Sequence, residues 1–130
     1  VSAALVTGAA VAFCVLMAGL AIFQAALVAG APIGHFAWGG RDRVLPAGKR
    51  VGSVIAIVLY ALFSVIVLQR AALIAVIPWP GVTAVAAWVL VGYFVLGIGL
   101  NAISRSRPER LTMVPLCVVL SILTVVVALG

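Results

Sequence analysis

The chain has 130 residues, 67% of them hydrophobic and 8% charged, where a soluble domain carries about 25% charged residues. That composition excludes a soluble globular domain and describes an integral membrane protein short enough to be one domain. The net charge of +6 comes from residues in short connections between apolar spans. It therefore reads as a topology signal and a set of contacts to anionic lipid headgroups, with no nucleic-acid partner expected.

The first apolar span, residues 2–29, would measure about 42 Å as a helix against roughly 30 Å of hydrocarbon, so it must tilt or protrude. No basic residue precedes Arg41, so the segment lacks the charged start of a secretory signal and is expected to be a retained span. Gly8, Gly19 and Gly30 recur every eleven residues, and Ala4, Ala12 and Ala26 join the same stripe. Such a stripe suits close packing against a neighbouring helix. Gly30 followed by Pro32 is a helix stop, because glycine accepts the left-handed position after the cap and proline cannot continue the helix.

Residues 30–50 form the one long break in an otherwise apolar chain. Here lie the lone histidine, His35, then Trp38 between Gly34 and Gly39-Gly40, and the cations Arg41, Arg43, Lys49 and Arg50. A second span is expected at about residues 51–69, with Pro46 placed to start its helix. Residues 71–77 are too few to cross and either prolong that helix or lie in the interface, where Trp79 suits the aromatic belt. A third span covers about residues 82–100, with Gly92 and Gly97 allowing close helix approach. The fourth is expected at about residues 113–129, capped by Thr112 and with Pro115 in its first turn.

Seven of the eight basic residues, including Arg105, Arg107 and Arg110, lie in the first and third connections, and only Arg70 lies in the second. By the positive-inside rule the two basic loops are cytoplasmic and both termini lie outside. The expected fold is all-α, a single transmembrane bundle of four helices. Cys14 should lie about 24 Å above the inner end of its helix and Cys117 about 8 Å above the start of its own, too different in depth for a disulfide.

Most enzyme classes fail on inventory. Asp42 and Glu109 are the only carboxylates, one in each basic connection, so neither a multi-acid metal site nor an intramembrane proton carrier is indicated. A single histidine offers neither a haem pair nor a nucleophile and base, so no catalytic residue, metal or cofactor is expected. Gln24, His35, Trp38 and Asn101 would line a cytoplasmic vestibule if they face inward together. The plainer reading makes His35 and Trp38 interfacial groups and the two amides interhelical hydrogen-bonding residues.

The Gly-Ala-Pro-x-Gly segment from Gly30, the Ala-Trp-Gly-Gly ending at Gly40, and Leu45-Pro46 before Arg50, Gly52 and Ser53 carry a resemblance. With the basic Ser-Arg-Ser break before the last span, they resemble a group of small bacterial integral membrane proteins of uncharacterised function. The resemblance implies a bacterial inner membrane and no particular activity. The leading expectation is a non-enzymatic accessory or scaffold subunit that meets other membrane chains through its small-residue faces. The alternative is a small transporter or channel formed by homo-oligomerisation, with a ligand site near Gln24, His35, Trp38 and Asn101.

Overall fold

The computed structural model describes residues 1–130. Four helices make up the chain: α1 (Ala3–Val28), α2 (Ala47–Arg70), α3 (Pro80–Ala102) and α4 (Arg107–Leu129). Two 3₁₀ turns, Gly34–Phe36 and Trp38–Gly40, lie in the connection between α1 and α2. All four helices are long and apolar enough to cross a membrane. Consecutive helices run antiparallel around a ring in which α1 packs on α2 and α4, and α4 on α3. The seam between α2 and α3 is the loosest of the four.

Local chemistry sets the helix ends. Ser2 Oγ accepts from the Leu5 N–H at 3.2 Å and starts α1. At the other end Gly30 takes φ 95°, and its N–H donates to Leu27 O while that of Ala31 donates to Ala26 O. That is a complete Schellman stop. The same pair of bonds closes α2, where Ala72 occupies the left-handed position at φ 60° without the benefit of being glycine.

The fourth helix differs from expectation. It is capped by Ser106, whose Oγ accepts from the Glu109 N–H at 3.4 Å, and not by Thr112. Charged Arg107, Glu109 and Arg110 therefore belong to its first turns, Pro108 is the early proline, and Pro115 falls inside the helix. Arginine and glutamate are good helix formers once a serine supplies the cap, so the charge run does not interrupt the helix. The segment after α2 does not prolong it. Residues 71–79 are turn and irregular chain, fastened where Gln69 Oε1 accepts from Val76 N–H (2.8 Å) and Ile77 N–H (3.0 Å).

Apolar side chains cover each helix on all sides, and the valines, leucines and isoleucines facing outward form the lipid-facing belt. Since lipid is as apolar as the interior, close packing must supply the cohesion. An aromatic cluster does so at mid-depth. Phe94 stands edge-on to Phe13 (centroids 5.7 Å apart), Phe63 (6.0 Å) and Tyr93 (5.2 Å). Met17, Leu90, Leu120 and Val127 fill the space around it. Cys14 and Cys117 are both free thiols.

Candidate functional site

The long connection after α1 folds back against the bundle as a small platform. Leu27, Ala37 and Leu45 form a separate buried cluster beneath it. Arg50 holds its rim, with Nε donating to Leu45 O at 2.7 Å and Nη1 to Val28 O at 3.5 Å, and the guanidinium lies over Gly30. Gly34 donates its N–H to Arg43 O at 2.8 Å, and a Cβ there would collide with the Asp42 backbone. Only glycine permits that approach.

The platform is latched to the start of α4. Ser106 Oγ donates to His35 O, and Gly40 lies so close to Ser106 that a Cβ would strike its side chain. Trp38, at φ 52°, donates Nε1–H to the buried Ser53 Oγ at 3.2 Å. Its ring lies over Gly52, where a Cβ would come within 2.6 Å of the ring. A non-glycine residue in that region is strained, and here the indole contacts on α2 hold it.

Above the platform the four helices enclose a cavity of about 350 Å³, with Phe36, Ala37 and Trp38 as its floor and Tyr93, Phe94 and Leu120 toward its upper end. Fifteen of its 19 lining residues are hydrophobic. The most exposed lining residues are Trp38 in the platform and Tyr93, Leu96 and Leu100 on α3, which packs only loosely against α2. Phe63 meets Tyr93 at 5.1 Å between α2 and α3, and beyond it lies a largely apolar surface groove.

Few polar groups enter this space, and they are unevenly satisfied. Gln24 Nε2 donates to Tyr60 Oη at 3.3 Å, but Gln24 Oε1 is buried without a partner. Asn101 Nδ2 is committed to Gly97 O at 2.8 Å and faces Cys117 Sγ at 3.7 Å. Glu109 is 7% exposed and accepts one long bond, from the Gly39 N–H at 3.4 Å. Ser106 and Glu109 have the spacing of a capping box, yet the return bond is missing because Ser106 N–H donates to Ser104 Oγ. The carboxylate is thereby left to the cavity. The sole ion pair in the protein, Lys49 with Asp42, does not involve it.

Three of the expected vestibule residues, Gln24, Trp38 and Asn101, line this one cavity, whereas His35 does not. The His35 ring rests on Phe36 at 4.3 Å, and its contribution to the site is the carbonyl that Ser106 grips. Tyr60 and Glu109 are lining residues that the sequence reading passed over. The Ser-x-x-Glu spacing at Ser106 was the available signal for Glu109, because it places that residue on the first turn of α4 and no longer in a loop.

The seven cations at the basic end divide into two groups, and the eighth, Arg70, donates to Ala128 O at the other end of the bundle. Arg41, Arg43, Arg105 and Arg107 are exposed, while Lys49, Arg50 and Arg110 are engaged by Asp42, by Leu45 and Val28, and by Ser104 O. Gly8, Gly19 and Gly92 stand on the outer surface with nothing within 4 Å, Gly97 sits against Cys117, and Gly30 forms the stop of α1. No group of three or more His, Cys, Asp or Glu is assembled anywhere in the fold. Comparison with protein-family models, curated proteins and solved structures gives no match.

Proposed function

We propose that this multi-pass membrane protein binds a small amphipathic molecule within the bilayer and moves or presents it without covalent chemistry. The observation that carries this reading is the cavity itself, which gathers Gln24, Trp38, Tyr60, Asn101 and Glu109 inside a single chain. An apolar chamber with a few convergent polar groups is the usual form of a small-molecule site, and about 300–1,000 Å³ is their usual size. The loose seam between α2 and α3 is then the entrance, through which a ligand dissolved in the membrane would reach the site without crossing water. Binding within one chain replaces the requirement for a pathway built between copies. On this reading the basic loops face the cytoplasm and the exposed arginines hold anionic headgroups.

The test is to release the protein in mild detergent, record its native mass, and extract what travels with it. A small molecule bound to the wild type and absent from Ala56→Phe, which fills the chamber from α2, supports the proposal. Equal recovery from both proteins sinks it.

A second reading, the accessory subunit, draws on the outward placement of Gly8, Gly19 and Gly92, which leaves those small-residue surfaces free for another chain. Gly19→Leu should then strip a stoichiometric partner from the purified protein without unfolding it. Retention of the same partner by that variant speaks against this role.

A further inference from the structure

We infer that the ligand of this cavity is a lipophilic monocation, an aryl or alkyl ammonium or its equivalent. The inference rests on the cavity-binding reading above and adds the chemical class of the occupant. Its basis is the sign of the charge in the chamber. Glu109 brings a carboxylate that is 7% exposed, and no lysine, arginine or histidine lines the cavity. Glu109 stands in the first turn of α4, where the helix N-terminus favours a carboxylate, but the return bond to the Ser106 N–H is not made because that N–H goes to Ser104. The one hydrogen bond that Glu109 accepts is from the Gly39 N–H at 3.4 Å. A carboxylate buried without a cation is costly, and a ligand that brings the missing charge removes that cost.

Two further features of the same chamber select the same ligand. Gln24 Oε1, on a residue 8% exposed, is a buried acceptor with no donor, which an N–H of the ligand would satisfy. Six lining residues are aromatic: Phe23, Phe36, Trp38, Tyr60, Tyr93 and Phe94. Ring faces carry negative potential and attract a cation, most strongly where water is excluded. An anion would meet the carboxylate with no compensating base. A neutral apolar molecule would fill the volume and leave Glu109 without a counter-charge and Gln24 Oε1 without a donor.

The experiment uses the full chain in nanodiscs of zwitterionic lipid and two probes of the same shape and opposite charge, tetraphenylphosphonium and tetraphenylborate. Saturable binding of each is measured by equilibrium dialysis against empty discs. A smaller aryl ammonium, benzyltrimethylammonium, is run beside them so that size alone cannot decide the result. The expected result is cation binding, no saturable anion binding, and a loss of about tenfold to a hundredfold in cation affinity on Glu109→Gln, the equivalent of one charge-assisted contact. Glu109→Asp, which retains the charge, should keep the preference for cations and guards against a merely misfolded Gln variant. Equal binding of both ions, abolished by Ala56→Phe and untouched by Glu109→Gln, overturns the cation assignment while leaving the cavity reading in place. Binding of neither cation above empty discs overturns the assignment, and the extraction experiment with Ala56→Phe then decides the cavity reading separately.

Discussion

Trp38 and Ser53 join the connecting platform to the second helix: the indole Nε1–H donates to Ser53 Oγ at 3.2 Å, from a backbone held at φ 52°. That bond, together with the ring's position over Gly52, sets the mouth of the cavity. Gly52→Val should expel the ring, because even a Cβ at this position meets it at 2.6 Å. In a protein whose other tryptophans, Trp79 and Trp88, are phenylalanine, the change should shift Trp38 emission and weaken probe binding about tenfold while helix content is retained. Ser53→Ala should act in the same direction but more mildly, at about 1 kcal/mol for the lost hydrogen bond.

Ser106 carries two duties at once, as the cap of α4 and as donor to His35 O. Ser106→Ala should lower stability in detergent by about 1–2 kcal/mol through the cap alone. It should also quicken hydrogen exchange at the Gly39 and Gly40 amides, since the platform loses its latch. A destabilisation with unchanged exchange there would confine Ser106 to capping.

Two helix stops make opposite predictions. Ala72 holds a left-handed φ of 60°, so Ala72→Gly should stabilise the protein by about 0.5–1 kcal/mol, read as a higher midpoint of thermal unfolding. Gly30, at φ 95°, performs the same task for α1 with the Arg50 guanidinium above it. Gly30→Ala should cost about 1 kcal/mol or somewhat more.

The division among the cations is testable with vesicles. Arg50→Met removes the bonds to Leu45 O and Val28 O and should cost about 2 kcal/mol of stability. Neutralising Arg41, Arg43, Arg105 and Arg107 together should leave thermal stability within about 0.5 kcal/mol, as expected for exposed side chains. The same four changes should weaken attachment of anionic lipid, by about 1 kcal/mol per charge at low salt. Unchanged lipid retention would make them topology signals alone.

The four spans were legible in the sequence because a helix in lipid must be apolar on every side, and hydropathy reports that directly. The stop at Gly30 was legible for a local reason, the left-handed residue that a Schellman motif requires. The first turn of α4 was misread because Arg107, Glu109 and Arg110 look like loop in a hydropathy profile, although the cap that turns them into helix stands at Ser106. Most of the site was beyond a one-dimensional reading. Gly40 against Ser106, or Gly39 against Glu109, joins residues whose proximity depends on how α1, α2 and α4 meet at the basic end. Composition gave no sign that His35 would contribute its carbonyl and leave the cavity lining to Tyr60 and Glu109.

The most direct measurement is photo-crosslinking in native membranes with a membrane-permeant aryl amine carrying a diazirine, mapped by peptide mass spectrometry. The account predicts adducts concentrated on cavity residues such as Trp38, Tyr60 and Met113, and their loss in Ala56→Phe. Adducts spread over lipid-facing positions such as Val58 and Val95, unchanged by Ala56→Phe, would contradict it.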